Sequence, residues 1–279
     1  MSVDAPKISV VTIVLNSAHT IRKCIESVLR QDYKNLEYIV IDGGSTDGTA
    51  EIIKEYAGRI SLFIQENDNG IAEAFNKGIM HATGDLLAFL NADDEYLENV
   101  LQALSERWNA RSRTADVIYG SVIVLQSNVP PRIAKARYPD KKETIVPFVC
   151  HQAMLAKRSL FMKIGNFNTT LRFGMDYDWI LRALEANAVF QVEPDILVAK
   201  YSFDGYSARN IRKSFAEFKC IALNHRMNSA FSVHMRYLLM DASLIIQKVL
   251  SPVLPVRLLQ RLKHLLKNHD AANNPTSAL

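Results

Sequence analysis

Cysteine is scarce. Cys24, Cys150 and Cys220 are the only three in 279 residues, they stand far apart, and none belongs to a CxxC pair. That excludes a disulfide framework and, with no His at metal-ligand spacing, a structural zinc site, so a reducing, cytoplasmic setting is expected. Long hydrophobic runs are missing too. A spanning helix needs about 18 apolar residues, and Asp241, Gln247 and Lys248 interrupt the most hydrophobic C-terminal part. The apolar run at residues 8–15 is short and has only Lys7 beside it, so it reads as a strand rather than a signal peptide. Nor is there a strong excess of one charge: a net +4, spread widely, is too weak to argue for nucleic acid. What is left, 48% hydrophobic and 22% charged, is the composition of an ordinary soluble chain long enough for one large domain or two small ones.

What the sequence does have is alternation. Residues 8–15 are β-branched and almost continuously apolar, as a central parallel strand requires, and Asn16-Ser17 ends the run. Ile21, Cys24, Ile25, Val28 and Leu29 then recur at helical spacing after Thr20. A strand over 36–41, a helix over 50–56, a strand over 60–64, a helix over 71–82 and a strand over 86–90 follow. This order predicts an α/β fold, a mainly parallel sheet flanked by helices, with its ligand crevice at the carboxyl ends of the strands. A helix over 100–109 and a strand over 115–120 continue the chain. Segment 129–142, rich in Pro and carrying Arg132, Lys135, Arg137, Lys141 and Lys142, reads as a loop or edge hairpin, either over an anionic ligand or simply solvated. Residues 151–156 read as a mixed strand and 157–165 as a short helix ended by Gly165.

Acids gather where these strands end. Leu86-Leu87-Ala88-Phe89-Leu90 stops at Asn91-Ala92-Asp93-Asp94. Adjacent carboxylates there suit a hard divalent cation holding a phosphorylated ligand, and they equally suit the acidic start of a helix, since Glu95 and Glu98 follow. Asp42 holds the last position of the second strand, where an acid can bind a nucleotide's base or ribose. The glycine-rich turn after it matches neither GxGxxG nor GxxxxGK[ST], and fits a tight strand-to-helix turn capped by Ser45, Thr46 or Asp47. Asn76 and Lys77 face either solvent or a diphosphate. Asp176 and Asp178 precede an amphipathic helix over 180–186, where an acid serves as a cap or as a general base aimed into the crevice. His151, taken alone, reads as structural.

Together the strand ending at Asn16, the phrase Val40-Ile41-Asp42-Gly43-Gly44-Ser45-Thr46-Asp47-Gly48-Thr49, the run Asn76-Lys77-Gly78, the phrase Phe89-Leu90-Asn91-Ala92-Asp93-Asp94, the pair His151-Gln152 and the stretch Asp176-Tyr177-Asp178-Trp179 carry a resemblance. In order and spacing they resemble family 2 glycosyltransferases with the GT-A fold, over residues 7–207. The resemblance implies inverting transfer from a nucleotide-diphosphate sugar to a hydroxyl of a glycan, lipid-linked or polysaccharide acceptor, with Mg²⁺ or Mn²⁺ on the diphosphate. At matching positions it implies Asp176 as catalytic base, Asp178 as a helix-capping acid, and Asp93 and Asp94 as metal ligands. It also implies Ile13, Asn16, Asp42, Asn76, Asn91 and Asp93 at the nucleotide sugar. Three positions depart from the family pattern. Many members have Asp, associated with uracil recognition, where this chain has Gly43, so UDP specificity is not carried over. Many have Asp at Asn91, and often Glu at Met175. A metal-dependent nucleotidyltransferase, which needs no base at Asp176, and a non-catalytic nucleotide-sugar-binding protein are the alternatives.

The last part changes character. Apolar residues recur at helical spacing over 211–225 and 235–250, and Pro252 and Pro255 precede a helix over 256–266 made basic by Arg257, Arg261, Lys263 and Lys267. Such a helix suits the anionic inner face of a membrane, packing on the main domain, or pairing in a homo-oligomer. The expected organisation is a glycosyltransferase domain over 1–208, a helical extension over 209–268 and a small, polar, disordered tail over 269–279.

Overall fold

The computed structural model describes residues 5–139, 147, 149–226 and 228–250, with 245–250 through their backbone only. The first half alternates as its periodicity predicts: β1 (Ile8–Val14), α1 (Ile21–Leu29), β2 (Leu36–Asp42), α2 (Thr49–Lys54), β3 (Leu62–Gln65), α3 (Ile71–His81) and β4 (Leu86–Asn91). The four strands are parallel, in the order β3-β2-β1-β4. The chain winds outward from β1 to β3 and returns on the far side of β1 as β4. Strand order therefore reverses between β1 and β4, and such a switch point opens a crevice at the strands' carboxyl ends. Asn16 and Asn91-Ala92-Asp93 stand at that opening.

β1 is buried at every position because two apolar layers sandwich it. Ile8, Val10 and Val14 join Ile21, Cys24, Ile25 and Val28 of α1 on one face, while Val11 and Ile13 join Phe75 and Ile79 of α3 on the other. This is the period of two that a strand imposes on its side chains. α3 lies so close to the sheet that a Cβ at Gly78 would stand 2.2 Å from Val11 Cγ1, so only glycine fits there.

The second half supplies β5 (Glu95–Tyr96), α4 (Val100–Ala110), β6 (Val117–Gln126), β7 (Val129–Ala134), a 3-10 turn at His151–Ala153, β8 (Met154–Lys157), α5 (Arg158–Ile164), α6 (Met175–Glu185), β9 (Phe190–Ser202), α7 (Tyr206–Arg209) and α8 (Ile211–Asn224). β8 enters antiparallel between β4 and β6. β9 runs parallel to β6, and its far end pairs antiparallel with β5. β7 folds back on β6 as a hairpin; Lys141 and Lys142 lie outside the described residues. Two expectations are corrected, and one strand is added. Residues 151–153 form a turn rather than the start of a strand. The helix bearing the acids begins at Met175, so Asp176 and Asp178 lie within its first turn and not ahead of it. β9 was not expected, because Gln191, Glu193, Pro194 and Asp195 interrupt its apolar pattern at a register shift against β6.

The chain divides into two compact units, the second starting at Asn228, so α7 and α8 belong to the first unit although they lie past residue 208. The described part of the second unit is α9 (Ala230–Leu250). Among the described residues no helix is long and apolar enough to cross a membrane. The basic segment 256–266 and the tail lie outside the described residues.

Candidate active site

The two acids after β4 have opposite surroundings. Asp94 is 1% exposed. Its Oδ1 accepts the Ser202 N–H from the end of β9 at 2.9 Å, and its Oδ2 accepts the Gln152 amide at 2.8 Å and the Asn91 amide at 3.0 Å. Burial, followed by the charge of Asp93, pushes the Asp94 carboxyl up from its ordinary value. A carboxylate committed to three internal donors serves the frame of the site, and Asp94, expected as a metal ligand, is held in this way. Asp93 is exposed and makes no such commitments. Desolvation at the crevice floor raises its carboxyl, and the guanidinium of Arg209 is among the nearby groups that oppose that rise. A Cβ at Gly205, just past β9, would come within 3.1 Å of Asp93 Oδ2, so this glycine keeps the approach to the acid open. Among the described residues no group of three or more His, Cys, Asp and Glu side chains is arranged to hold a metal. One free carboxylate fits the kind of ion that takes one or two acids from the protein and its other ligands from substrate phosphates and water.

Asp176, in the first turn of α6, faces the same region. Its Oδ2 lies 2.9 Å from His151 Nδ1, and its Oδ1 accepts the Tyr177 N–H. His151 Nε2 lies 3.3 Å from the Asn91 amide nitrogen, which also reaches Asp94. Asn91 thus links the end of β4 to the acid of α6 through one imidazole. The start of α6 is fixed from behind by α8: Glu217 accepts the backbone N–H groups of Arg172, Phe173 and Gly174. A Cβ at Gly174 would meet Ile221 Cδ1 at 2.5 Å and Phe218 Cδ1 at 2.9 Å, so any other residue there would push those side chains aside. Beneath, Trp179 is fully buried and stacks on Phe161 with centroids 4.2 Å apart. The motif His151-Gln152 was visible in the sequence. The contacts of Ser202 and Glu217 were not, because each comes from far along the chain.

The turn after β2 is stitched to the end of β1. Asn16, in the left-handed region at φ 49°, donates its N–H to Ser45 Oγ and accepts the Thr46 N–H on its side-chain oxygen. Asp47 accepts the Ala18 and Thr49 N–H groups. Asp42 is fully buried; Ser45 donates both its N–H and its hydroxyl to Oδ1, while Oδ2 has no partner. A buried acceptor without a donor is the kind of atom a ligand or an ordered water satisfies. A Cβ at Gly43 would lie 2.4 Å from Asp68 Oδ2, so the carboxylate of Asp68 stands where a side chain at 43 would begin. Two residues expected at the nucleotide sugar are engaged inside the protein. Ile13, 7% exposed, points into the core beneath α3, as its place in the alternation of β1 dictates. The Asn76 amide closes a two-bond pair with the backbone of Phe167, donating to its carbonyl at 2.8 Å and accepting its N–H at 3.0 Å.

Asp178 does not cap α6, another correction. Its Oδ2 accepts Arg182 Nε at 2.9 Å and its Oδ1 faces His225 Nε2 at 3.0 Å, while His225 Nδ1 faces Glu185 Oε1 at 3.0 Å. The bond to Asp178 raises the imidazole's pKa from 6.5, burial opposes, and Glu185 adds to the rise. Burial pushes the Asp178 carboxyl up, but the bonds from His225 and Arg182 outweigh it and hold the group below its ordinary value. The sign follows. Stabilisation through His225 is complete below its unfolded value of about 6.5 and is lost as pH rises through the folded value; that through Asp178 is complete above about 4 and is lost as pH falls. The cluster therefore ties α8 to α6 most strongly between about pH 4 and 6.5. Thermal unfolding of His225→Gln should fall less steeply than wild type between pH 6.5 and 9. An unchanged slope would refute the assignment.

The protein-family model described as Glycosyl transferase family 2 matches residues 9–165. A Mycobacterium bovis protein, "PGL/p-HBAD biosynthesis glycosyltransferase", is 32% identical over 215 residues, which cover 76% of this chain and 83% of that protein. Two solved structures share the fold. S. aureus TarS 1-349 in complex with UDP-GlcNAc superposes with a TM-score of 0.62 at 18% identity, over 90% of this chain and 77% of that one. The mannosyltransferase PcManGT from Pyrobaculum calidifontis in complex with GDP-Man and Mn2+ gives 0.61 at 19% identity, over 96% and 80%. The architecture is therefore the GT-A fold.

Proposed function

This chain belongs to glycosyl transferase family 2 and is a glycosyltransferase, and on that premise we propose that it moves a sugar from a nucleotide-diphosphate sugar to an acceptor hydroxyl with inversion, using Asp176 as general base. The observation that carries this reading is the placement of Asp176. It is a partly exposed carboxylate at the start of α6, tied through His151 and Asn91 to the strand end that bears Asp93. In the reaction the acceptor oxygen attacks the anomeric carbon, the bond from that carbon to the diphosphate oxygen breaks on the opposite face, and the acceptor's proton passes to an Asp176 oxygen. Asp93 is the residue to hold a Mg²⁺ or Mn²⁺ ion, and a bound ion neutralises charge on the leaving diphosphate. Arg209 adds positive charge to the same rim. Asp42, with one buried oxygen unpaired, and Asn16 are the groups proposed to face the nucleoside. The nucleotide sugars bound in the two solved neighbours support a nucleotide-sugar donor, and the glycan, lipid-linked or polysaccharide acceptor follows from the family resemblance. Work at the inner face of a membrane is consistent with such an acceptor and with the basic sequence at 256–266.

The test is to incubate the protein with UDP-, GDP- and dTDP-sugars, with and without Mn²⁺, and to identify the released phosphates. One donor should give nucleoside diphosphate in a metal-dependent manner, and Asp93→Ala should not. Formation of nucleoside triphosphate and sugar 1-phosphate when pyrophosphate is added would favour the nucleotidyltransferase reading, and undiminished release of nucleoside diphosphate in a chelator would overturn the metal assignment.

A further inference from the structure

We propose that His151 is a positioning residue for the transfer: a ring whose tautomer is dictated by Asn91 and which holds the Asp176 carboxylate through its Nδ1–H. The argument begins at Asp94. Its Oδ2 accepts from both Gln152 and Asn91, which fixes the Asn91 amide with nitrogen, not oxygen, toward the acid. That same nitrogen is the Asn91 atom 3.3 Å from His151 Nε2. An amide nitrogen only donates, so Nε2 must accept with its lone pair, and the ring proton stands on Nδ1. Nδ1 lies 2.9 Å from Asp176 Oδ2, and the bond runs from imidazole to carboxylate. The ring plane is set as well: Phe75 packs against it nearly edge-on, with centroids 5.6 Å apart and planes at 72°.

The arrangement has a chemical consequence. With Nε2 already taken by Asn91, His151 is not placed to receive the acceptor's proton, and the role of base stays with Asp176. A base that must meet a proton along the line of attack gains from a second group that fixes its rotamer, because small misplacements of a reacting group cost large factors in rate. His151 and Gln152 are consecutive in the 3-10 turn, and one holds Asp176 while the other holds Asp94. A single turn of chain therefore sets the distance between the acid of α6 and the end of β4. Asn91 gains a purpose too: an acid at 91 has no hydrogen to offer Nε2 and would not select this tautomer.

This inference rests on the reading of Asp176 as the base, and its experiment separates the two. His151→Gln sends an amide toward the place of Nε2 and loses the donor to Asp176. His151→Asn places its amide near Nδ1 and can keep that donor. At matched folded fraction, His151→Gln should lower kcat by about tenfold or more with donor KM within about twofold, and His151→Asn should exceed it in kcat by at least about fivefold. Long-range ¹H–¹⁵N correlation spectra of the wild-type protein, which need no turnover, should show His151 protonated on Nδ1 and not on Nε2. Protonation on Nε2, or two variants equally impaired, would overturn the proposal. Asp176→Asn in the same assay tells the failures apart. If it stays active, the base assignment fails; if it is inactive while His151→Gln is not, only the role of His151 fails.

Discussion

Asp176→Asn is expected to lower turnover by a factor of about 10²–10⁴ while the affinity for the nucleotide sugar stays nearly unchanged. The substitution preserves size and leaves one oxygen that can accept the His151 Nδ1–H, at the loss of the bond from the Tyr177 N–H, while the contacts of Glu217 that fix the start of α6 are untouched. What it removes is the group able to take a proton. An acceptor hydroxyl must then attack without a base, which affects a species present only in the transition state and should appear in kcat rather than in donor binding. The neighbour two residues on provides the control. Asp178 shares the first turn of α6, but both of its oxygens are engaged by Arg182 and His225. Asp178→Asn should therefore lower stability, because His225 and Arg182 lose a charged partner in a half-buried setting, and at matched folded fraction its turnover should stay well above that of Asp176→Asn. The assignment fails if the order of the two variants in turnover is reversed.

The parallel half of the fold was legible in the sequence because it rests on short-range patterns. β1 shows as a run because both of its faces are buried, and the helices show their apolar stripes over stretches of about ten residues. The positions of Asp176 and Asp93 at element ends were legible too, since acids there interrupt such runs. The rest was hidden for definite physical reasons. Period alone cannot say whether a strand-end acid looks into solvent or is roofed by another strand, and it is β9, arriving from residues 190–202, that roofs Asp94. β9 is itself hard to read, because Glu193, Pro194 and Asp195 break its apolar pattern, the last two at exposed positions. Asp178 looked like a cap because acids favour first turns, while its actual partner, His225, lies 47 residues away. Gly43, a departure from the family pattern, has a local reason once Asp68 is seen beside it. Side chains that act through neighbours distant in sequence leave no periodic trace, and the frame of this site consists mostly of such side chains.

The adjacent acids after β4 should separate in their roles. Asp93→Ala is expected to fold like wild type and to lose metal-dependent binding of the nucleotide sugar, because the residue is exposed and its carboxylate, unlike that of Asp94, does not gather donors from distant parts of the chain. Asp94→Ala is expected to do the reverse and to destabilise the protein by about 3 kcal/mol or more, since a buried donor left without an acceptor costs roughly 1–3 kcal/mol and this change strands several. The Ser202 N–H, the Gln152 amide and the Asn91 amide all end on that carboxylate. Asn91 would also be free to turn, so His151 would lose its fixed partner and any remaining folded protein should show reduced kcat. Asp94→Asn is milder by construction, since it keeps one accepting oxygen but sets an amide nitrogen against one of those donors. Thermal unfolding without ligand measures the structural effect, and calorimetric titration with nucleotide sugar in the presence of Mn²⁺ measures the other. If Asp93→Ala binds like wild type, or if Asp94→Ala is as stable as wild type yet has lost Mn²⁺-dependent affinity, the division of labour between the two acids is wrong.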